Sequence, residues 1–212
     1  MNCLWSRYQN FTNFTYLNAE ALAWWYQDDG HLKVEDGIMR KVVLSTDSFT
    51  INENLWLIQL LKNKFNLHFS FDSQNRLLLY DQAQIIQFLN IVTPYVQPCM
   101  NRKAYRLPPI KPIATRTTIY LPQQILLRQP TREINKQLAA LSCFHNHEDS
   151  FAIKDSDLVA IITNRKNKQP TKSYQISIQE EYKVALARLR QQAGLTISEL
   201  VAYCFKSNHV ES

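Results

Sequence analysis

The sequence predicts an α+β fold, and three observations predict it. Helix-like and strand-like apolar periodicities follow one another through the N-terminal half in the order αββαββα. The stretch Leu107-Pro-Pro-Ile-Lys-Pro112 then breaks all periodicity, as a stiff extended linker does. Beyond it, the C-terminal end reads as one strand and two helices, a small βαα module. The expected organisation is a first domain over 1–106, a linker over 107–116, a helical or β connector over 117–170 and a terminal module over 171–212.

Each element has a local reason. A helix is expected from about Asn18 to Asp29, ending in two adjacent acids and a glycine. Glu35-Asp-Gly37 is a hairpin signal between strands at His31–Val34 and Ile38–Ser45. Thr50 and Glu53 have capping-box spacing ahead of a helix that places Leu57, Leu60, Leu61 and Phe65 at helical intervals. Leu67, Phe69 and Phe71 alternate with His68 and Ser70, the pattern of a half-buried strand. Asp72–Asn75 is a turn, Arg76–Tyr80 the returning strand, and Gln82–Thr93 a helix stopped by Pro94.

In the second half, Tyr174, Ile176 and Ile178 alternate with Ser173, Gln175 and Ser177 and predict a strand. Glu180–Ala193 is an amphipathic helix with Tyr182, Ala185, Leu186 and Leu189 on one side, closed by Gly194. Thr196-Ile-Ser-Glu199 is a second capping box, opening a helix through Leu200, Val201 and Phe205. Between linker and strand, Thr117-Thr-Ile-Tyr-Leu121 with helices at about Thr131–Leu141 and Asp155–Thr163 has the outline of a second βαα unit. Such a unit would let one chain pair its own two strands. A long loop and an apparent interruption at Pro130 favour a plain helical connector instead.

Composition excludes several functions. The 212 residues are 45% apolar and suffice for one or two domains. No stretch is long and apolar enough to span a bilayer, and Met1–Tyr16 mixes polar and aromatic residues rather than forming a secretory leader. Cys3, Cys99, Cys143 and Cys204 lie far apart, which suits free thiols in a reducing, cytoplasmic setting. Three glycines cannot build a phosphate-cradling loop, so P-loop and dinucleotide-fingerprint chemistry are excluded. Without a leader, the sequons at Asn10 and Asn13 are read as chance. Cys143, His145 and His147 are spaced as metal ligands could be, but no second ligand cluster completes a site, and a polar loop is expected. Trp24, Trp25 and Trp56 are expected in the core or at a helix interface.

Charge is segregated. Residues 1–103 hold nine basic and nine acidic side chains, whereas 104–212 hold fifteen against nine, so the whole +6 excess lies in the second half. A basic surface favours polyanions by neutralising phosphates and releasing counterions.

The most informative stretch is Leu22-Ala-Trp-Trp-Tyr-Gln-Asp-Asp-Gly30. Carboxylates at a helix C-terminus oppose the macrodipole unless a cation offsets them, and a divalent metal is a natural candidate. This motif, with Val43-Leu-Ser-Thr-Asp-Ser-Phe49, Leu61-Lys-Asn-Lys-Phe-Asn-Leu67 and Val92-Thr-Pro-Tyr-Val-Gln-Pro-Cys-Met100 leading to Lys103, resembles the LAGLIDADG homing endonucleases of the LAxWxxDDG type. The resemblance covers about residues 18–107. It implies an αββαββα unit that acts on double-stranded DNA, with two motif helices packed about a twofold or pseudo-twofold axis. The acid before the final glycine, Asp29, is then implied as the ligand of a catalytic Mg²⁺, and Lys103 as a basic residue supporting the centre. Asp28 is implied in a supporting place, and Lys33, Arg40, Lys41, His68 and Arg76 as DNA contacts.

One motif is present, so the implied centre requires a homodimer or a partner half. Bulky Trp24 and Trp25 leave the pairing open. The C-terminal module resembles a ribbon-helix-helix DNA-binding domain. That resemblance implies pairing of two copies, base contacts from Ser173, Gln175 and Ser177, Lys172 near the backbone, and a phosphate at the helix start around Thr196–Ser198. The expected function is metal-dependent cleavage of double-stranded DNA. The competing expectations are a non-catalytic DNA-binding regulator, with Asp29 vestigial, and an intron-RNA maturase.

Overall fold

The computed structural model describes residues 17–105, 107, 109–143, 155–166 and 169–207. These fall into two compact units. The first holds described residues within 17–34, 40–80 and 87–105; the second holds those within 35–39, 81–86 and 107–207. The architecture is α+β, as the sequence predicts.

In the first unit, helix α1 (Ala19–Asp29) starts where the Asn18 side chain accepts a hydrogen bond from the Ala21 amide at 2.8 Å. Strands β1 (Gly30–Glu35) and β2 (Ile38–Leu44) follow, joined through Asp36 and Gly37, both at positive φ. Helix α2 (Ile51–Phe65) opens on the predicted capping box and closes on left-handed Asn66. Strands β3 (Ser70–Phe71) and β4 (Leu77–Leu79) complete a four-stranded sheet ordered β1-β2-β4-β3, and helix α3 (Gln82–Val92) ends at a short 3₁₀ turn, Thr93–Tyr95.

The β2–β4 register sets Val42 against Leu79 and Leu44 against Leu77, all almost fully buried. Tyr26, Leu22, Leu61, Leu67 and Phe88 are buried in the same unit, and the Tyr26 and Phe69 rings meet Phe88 edge-on at 5.1 and 5.9 Å. The strand predicted at 67–71 is shorter than its alternation suggests. Leu67 and Phe69 are buried, but only Ser70 and Phe71 pair with β4. The Asp72 carboxylate organises the turn beyond them, accepting from the Gln74 and Arg76 amides and from the Arg76 guanidinium.

The second unit is built on a two-stranded antiparallel ribbon. Strand β5 (Arg116–Pro122) pairs along its whole length with β6 (Thr171–Ser177), from Arg116 opposite Ser177 to Pro122 opposite Thr171. Each strand is followed by two helices: α4 (Pro130–Cys143) and α5 (Asp155–Lys166) after β5, α6 (Glu180–Ala193) and α7 (Ile197–Ser207) after β6. The strand expected to pair with a second copy therefore finds its partner in the same chain. The stretch read as a plain connector carries that partner. Pro130 interrupts nothing, because it sits at the first position of α4, where its missing N–H costs no hydrogen bond.

Ile119, Leu121, Tyr174, Ile176 and Ile178 point inward from the ribbon onto Ile134, Leu138, Leu186, Leu189, Leu200 and Val201 in one apolar core. Ile113, within the predicted linker, joins the same core. Gly194 closes α6 at φ 65°, and a Cβ there would lie 2.7 Å from the Ala83 amide nitrogen, so both conformation and space demand glycine.

Candidate functional site

The apolar stripe Leu22, Ala23 and Tyr26 buries one side of α1 and leaves Asp28 and Asp29 exposed at its C-terminal end. Trp24, expected in a core or interface, is 48% exposed on this helix; Trp25 and Trp56 are half-buried. Gly30 has an extended backbone and ends the helix for a steric reason. A Cβ there would sit 2.2 Å from the Tyr26 ring and 2.3 Å from its carbonyl oxygen.

The cation that offsets this acidic helix end is Lys103. It lies on a second 3₁₀ segment (Pro98–Lys103), is buried, and donates its ammonium to the Tyr26 carbonyl at 3.1 Å and the Gln27 carbonyl at 2.5 Å. The Tyr26 hydroxyl donates back to the Lys103 carbonyl at 2.9 Å. Burial pulls the Lys103 ammonium below its ordinary range, as does neighbouring Arg102, while Asp28 and Asp29 pull it back up. Lys103 is thus close enough to the acids to feel their charge, but its hydrogen bonds go to backbone carbonyls.

Gln27 is a buried polar residue of this helix end that the sequence does not single out. It is 3% exposed, and its side chain donates to the Ala23 and Tyr95 carbonyls and accepts from the Gln97 amide at 2.6 Å. It clamps the 93–103 segment to the last turn of α1. The available signal was a glutamine on the helical stripe of Ala23, where burial leaves a polar side chain to hold something.

The other candidates of this unit are not gathered on one surface. Arg40 and Lys41 are neighbours on β2 and face opposite sides of the sheet. Lys41 is half-buried, with its ammonium 5.9 Å from the Tyr80 ring centre. Lys33 and Arg40 are exposed. His68 is half-buried, its ring nitrogen 3.2 Å from the Asn66 side-chain oxygen. Arg76 is paired with Asp72 at 2.7 Å, which draws its guanidinium into stabilising a turn.

In the second unit, Ser173, Gln175 and Ser177 are exposed in one outward row of β6, while Tyr174 and Ile176 are buried. Lys172 lies outside that row. It shares the side of Tyr174, with its ammonium 5.4 Å from that ring. The ribbon is held from behind: Asn135 donates to the Ser177 carbonyl at 2.8 Å, Tyr174 donates to the Ile125 carbonyl at 2.9 Å, and the Tyr120 amide donates to Ser198 Oγ at 3.0 Å.

The start of α7 is less open to phosphate than expected. The Thr196 amide already donates to Glu199 at 2.7 Å in a capping box, and Glu199 is ion-paired with Arg165 at 2.5 Å. Burial pushes the Glu199 carboxyl up, but hydrogen bonds from Arg165 and Thr196 together hold it below the usual carboxylate range. Arg165 also pairs with Asp81. His145, His147 and the two sequons lie outside the described residues. Among the described residues no three His, Cys, Asp or Glu side chains gather as a metal shell, and no helix is long and apolar enough to cross a membrane.

Residues 10–88 match the model of the LAGLIDADG DNA endonuclease family. An uncharacterized protein of Methanocaldococcus jannaschii, MJ1098, is 36% identical over 91 residues, covering 41% of this chain and 35% of the relative. The chain therefore matches about a third of the length of that curated relative. The homing endonuclease I-WcaI, solved bound to its DNA recognition sequence, is 30% identical over 43% of this chain and 42% of its own, with a TM-score of 0.39. Over residues 10–88 the chain is therefore similar to the LAGLIDADG DNA endonuclease family.

Proposed function

We propose that this protein binds double-stranded DNA and cuts it with Mg²⁺, in a centre completed by a second motif helix from another copy or a partner half. The observation that supports this most is the end of α1. There Lys103 satisfies the helix carbonyls, and Asp28 and Asp29 stay exposed beside it. Asp29 offers the hard oxygen that Mg²⁺ prefers. Among the described residues too few such groups gather for a full shell, so the remaining ligands would come from the second helix and from DNA phosphate. A bound Mg²⁺ would supply an activated water and stabilise the leaving oxygen. The chain's own part is to aim Asp29 rigidly, through Gly30, Tyr26, Gln27 and Lys103, and to keep a positive charge close by.

The second unit is, in this reading, a ribbon-helix-helix-like module whose β6 row, Ser173, Gln175 and Ser177, faces base edges. The basic excess of residues 104–212 supports a polyanion partner.

Selection of duplexes from a random pool in Ca²⁺, followed by transfer to Mg²⁺, tests the proposal with Asp29→Asn alongside the parent. Cleavage that appears with Mg²⁺ and drops by a thousandfold or more in the variant, with binding retained, is the expected result. Tight selection without cleavage would leave a DNA-binding regulator, and preference for structured RNA would leave a maturase.

A further inference from the structure

We propose that the ribbon reads duplex DNA asymmetrically within one chain, with Arg116, Thr118 and Tyr120 of β5 sharing the reading face with Ser173, Gln175 and Ser177 of β6. The DNA element that it recognises is then non-palindromic. This rests on the reading above that the ribbon contacts DNA.

The register makes one face of the six. Arg116 lies opposite Ser177, Thr118 opposite Gln175 and Tyr120 opposite Ser173. All six are exposed, whereas of the residues between them Ile119, Tyr174 and Ile176 are buried and Thr117 is half-buried. Tyr120 is 55% exposed, a large ring held outward on a strand whose next inward position is fully buried. Alternate residues on a strand are about 6.8 Å apart, close to two base steps, so three rows span about four base steps of a major groove that admits a two-stranded ribbon.

A half-turn through the Thr118–Gln175 pair carries Ile119 onto Ile176 and Leu121 onto Ile178. Inside, the two strands are alike because they fill one core. Outside, the same operation carries Arg116 onto Ser173, Thr118 onto Gln175 and Tyr120 onto Ser177, and no pair matches in chemistry. A guanidinium suits guanine in two hydrogen bonds, a carboxamide suits adenine, and serine suits either, so the two flanks must prefer different bases. A shallow groove beside β5 continues the surface. Thr118 and Tyr120 line it together with Lys111, Arg190 and Ser198, so two cations sit beside the reading face, where a flanking phosphate backbone would pass.

The test uses full-length protein carrying Asp29→Asn, which prevents cutting, and base preferences selected from a random duplex pool. Arg116→Ala, Tyr120→Ala, Gln175→Ala and Ser173→Ala are compared at unchanged melting temperature. The expected result is loss of roughly tenfold discrimination by Arg116→Ala at positions on one flank, with no change at the symmetry-related positions. Gln175→Ala should act at the centre. Changes from the β6 substitutions alone would overturn the asymmetric reading and leave DNA contact by β6 intact. Matched changes on both flanks would overturn it in favour of a symmetric pair of chains. Insensitivity to all four, or tighter binding to structured RNA, would overturn DNA reading by the ribbon itself.

Discussion

The acidic end of α1 is stable because each residue there has a separate physical task. Gly30 makes room for the Tyr26 ring, Gln27 clamps the following 3₁₀ segments, and Lys103 brings a buried positive charge to carbonyls that would otherwise face two carboxylates. Replacing the ammonium while keeping the stem shows what this arrangement contributes. Lys103→Met should lower stability by roughly 1–3 kcal/mol in urea unfolding, because a buried carbonyl loses a charged donor and the acids lose a neighbouring cation. An unchanged midpoint would mean that the acidic end needs no cation to hold its shape.

At the scale of elements, helix ends set the pattern, and the second unit shows it best. Glu199 caps α7 through Thr196 and pairs with Arg165 on α5, so a single carboxylate fastens two helices. Its folded pKa lies below its unfolded value. The stability it contributes is therefore fully present above about pH 4.3, the ordinary glutamate value, and is lost as pH falls through the lower folded value. Thermal unfolding followed from pH 7 to pH 3 should show that loss, and Glu199→Gln should flatten it.

These ends were legible in the sequence because they are local. Asn18, Thr50 with Glu53, Gly194, and Thr196 with Glu199 each announce a boundary within four residues. The pairing of β5 with β6 was not legible with the same clarity. Each strand declares itself by alternation, but nothing local names its partner across the intervening helices, and Pro130 reads as a break until it is seen at a helix start. Lys103 was found by resemblance, whereas its actual bonds, to carbonyls seventy-six and seventy-seven residues away, depend on the folded chain. The basic residues of the first sheet illustrate the converse. The resemblance implied Arg76 as a DNA contact, but its partner Asp72 four positions earlier makes it part of a turn.

At the scale of the whole molecule, a unit similar to the LAGLIDADG DNA endonucleases is joined in one chain to a basic unit built on an in-chain ribbon. The two place different demands on assembly. The ribbon is complete in one copy, whereas the proposed metal centre requires a second helix. Cleavage of a selected duplex in Mg²⁺ by mixtures of parent and Asp29→Asn chains, at fixed total protein and with DNA in excess, tests that requirement most directly. If two Asp29 carboxylates from two chains build the centre, double-strand cleavage should fall with about the square of the parent fraction, because mixed pairs fail. A fall in direct proportion to the parent fraction would show that one chain cuts alone and would contradict a centre shared between two motif helices.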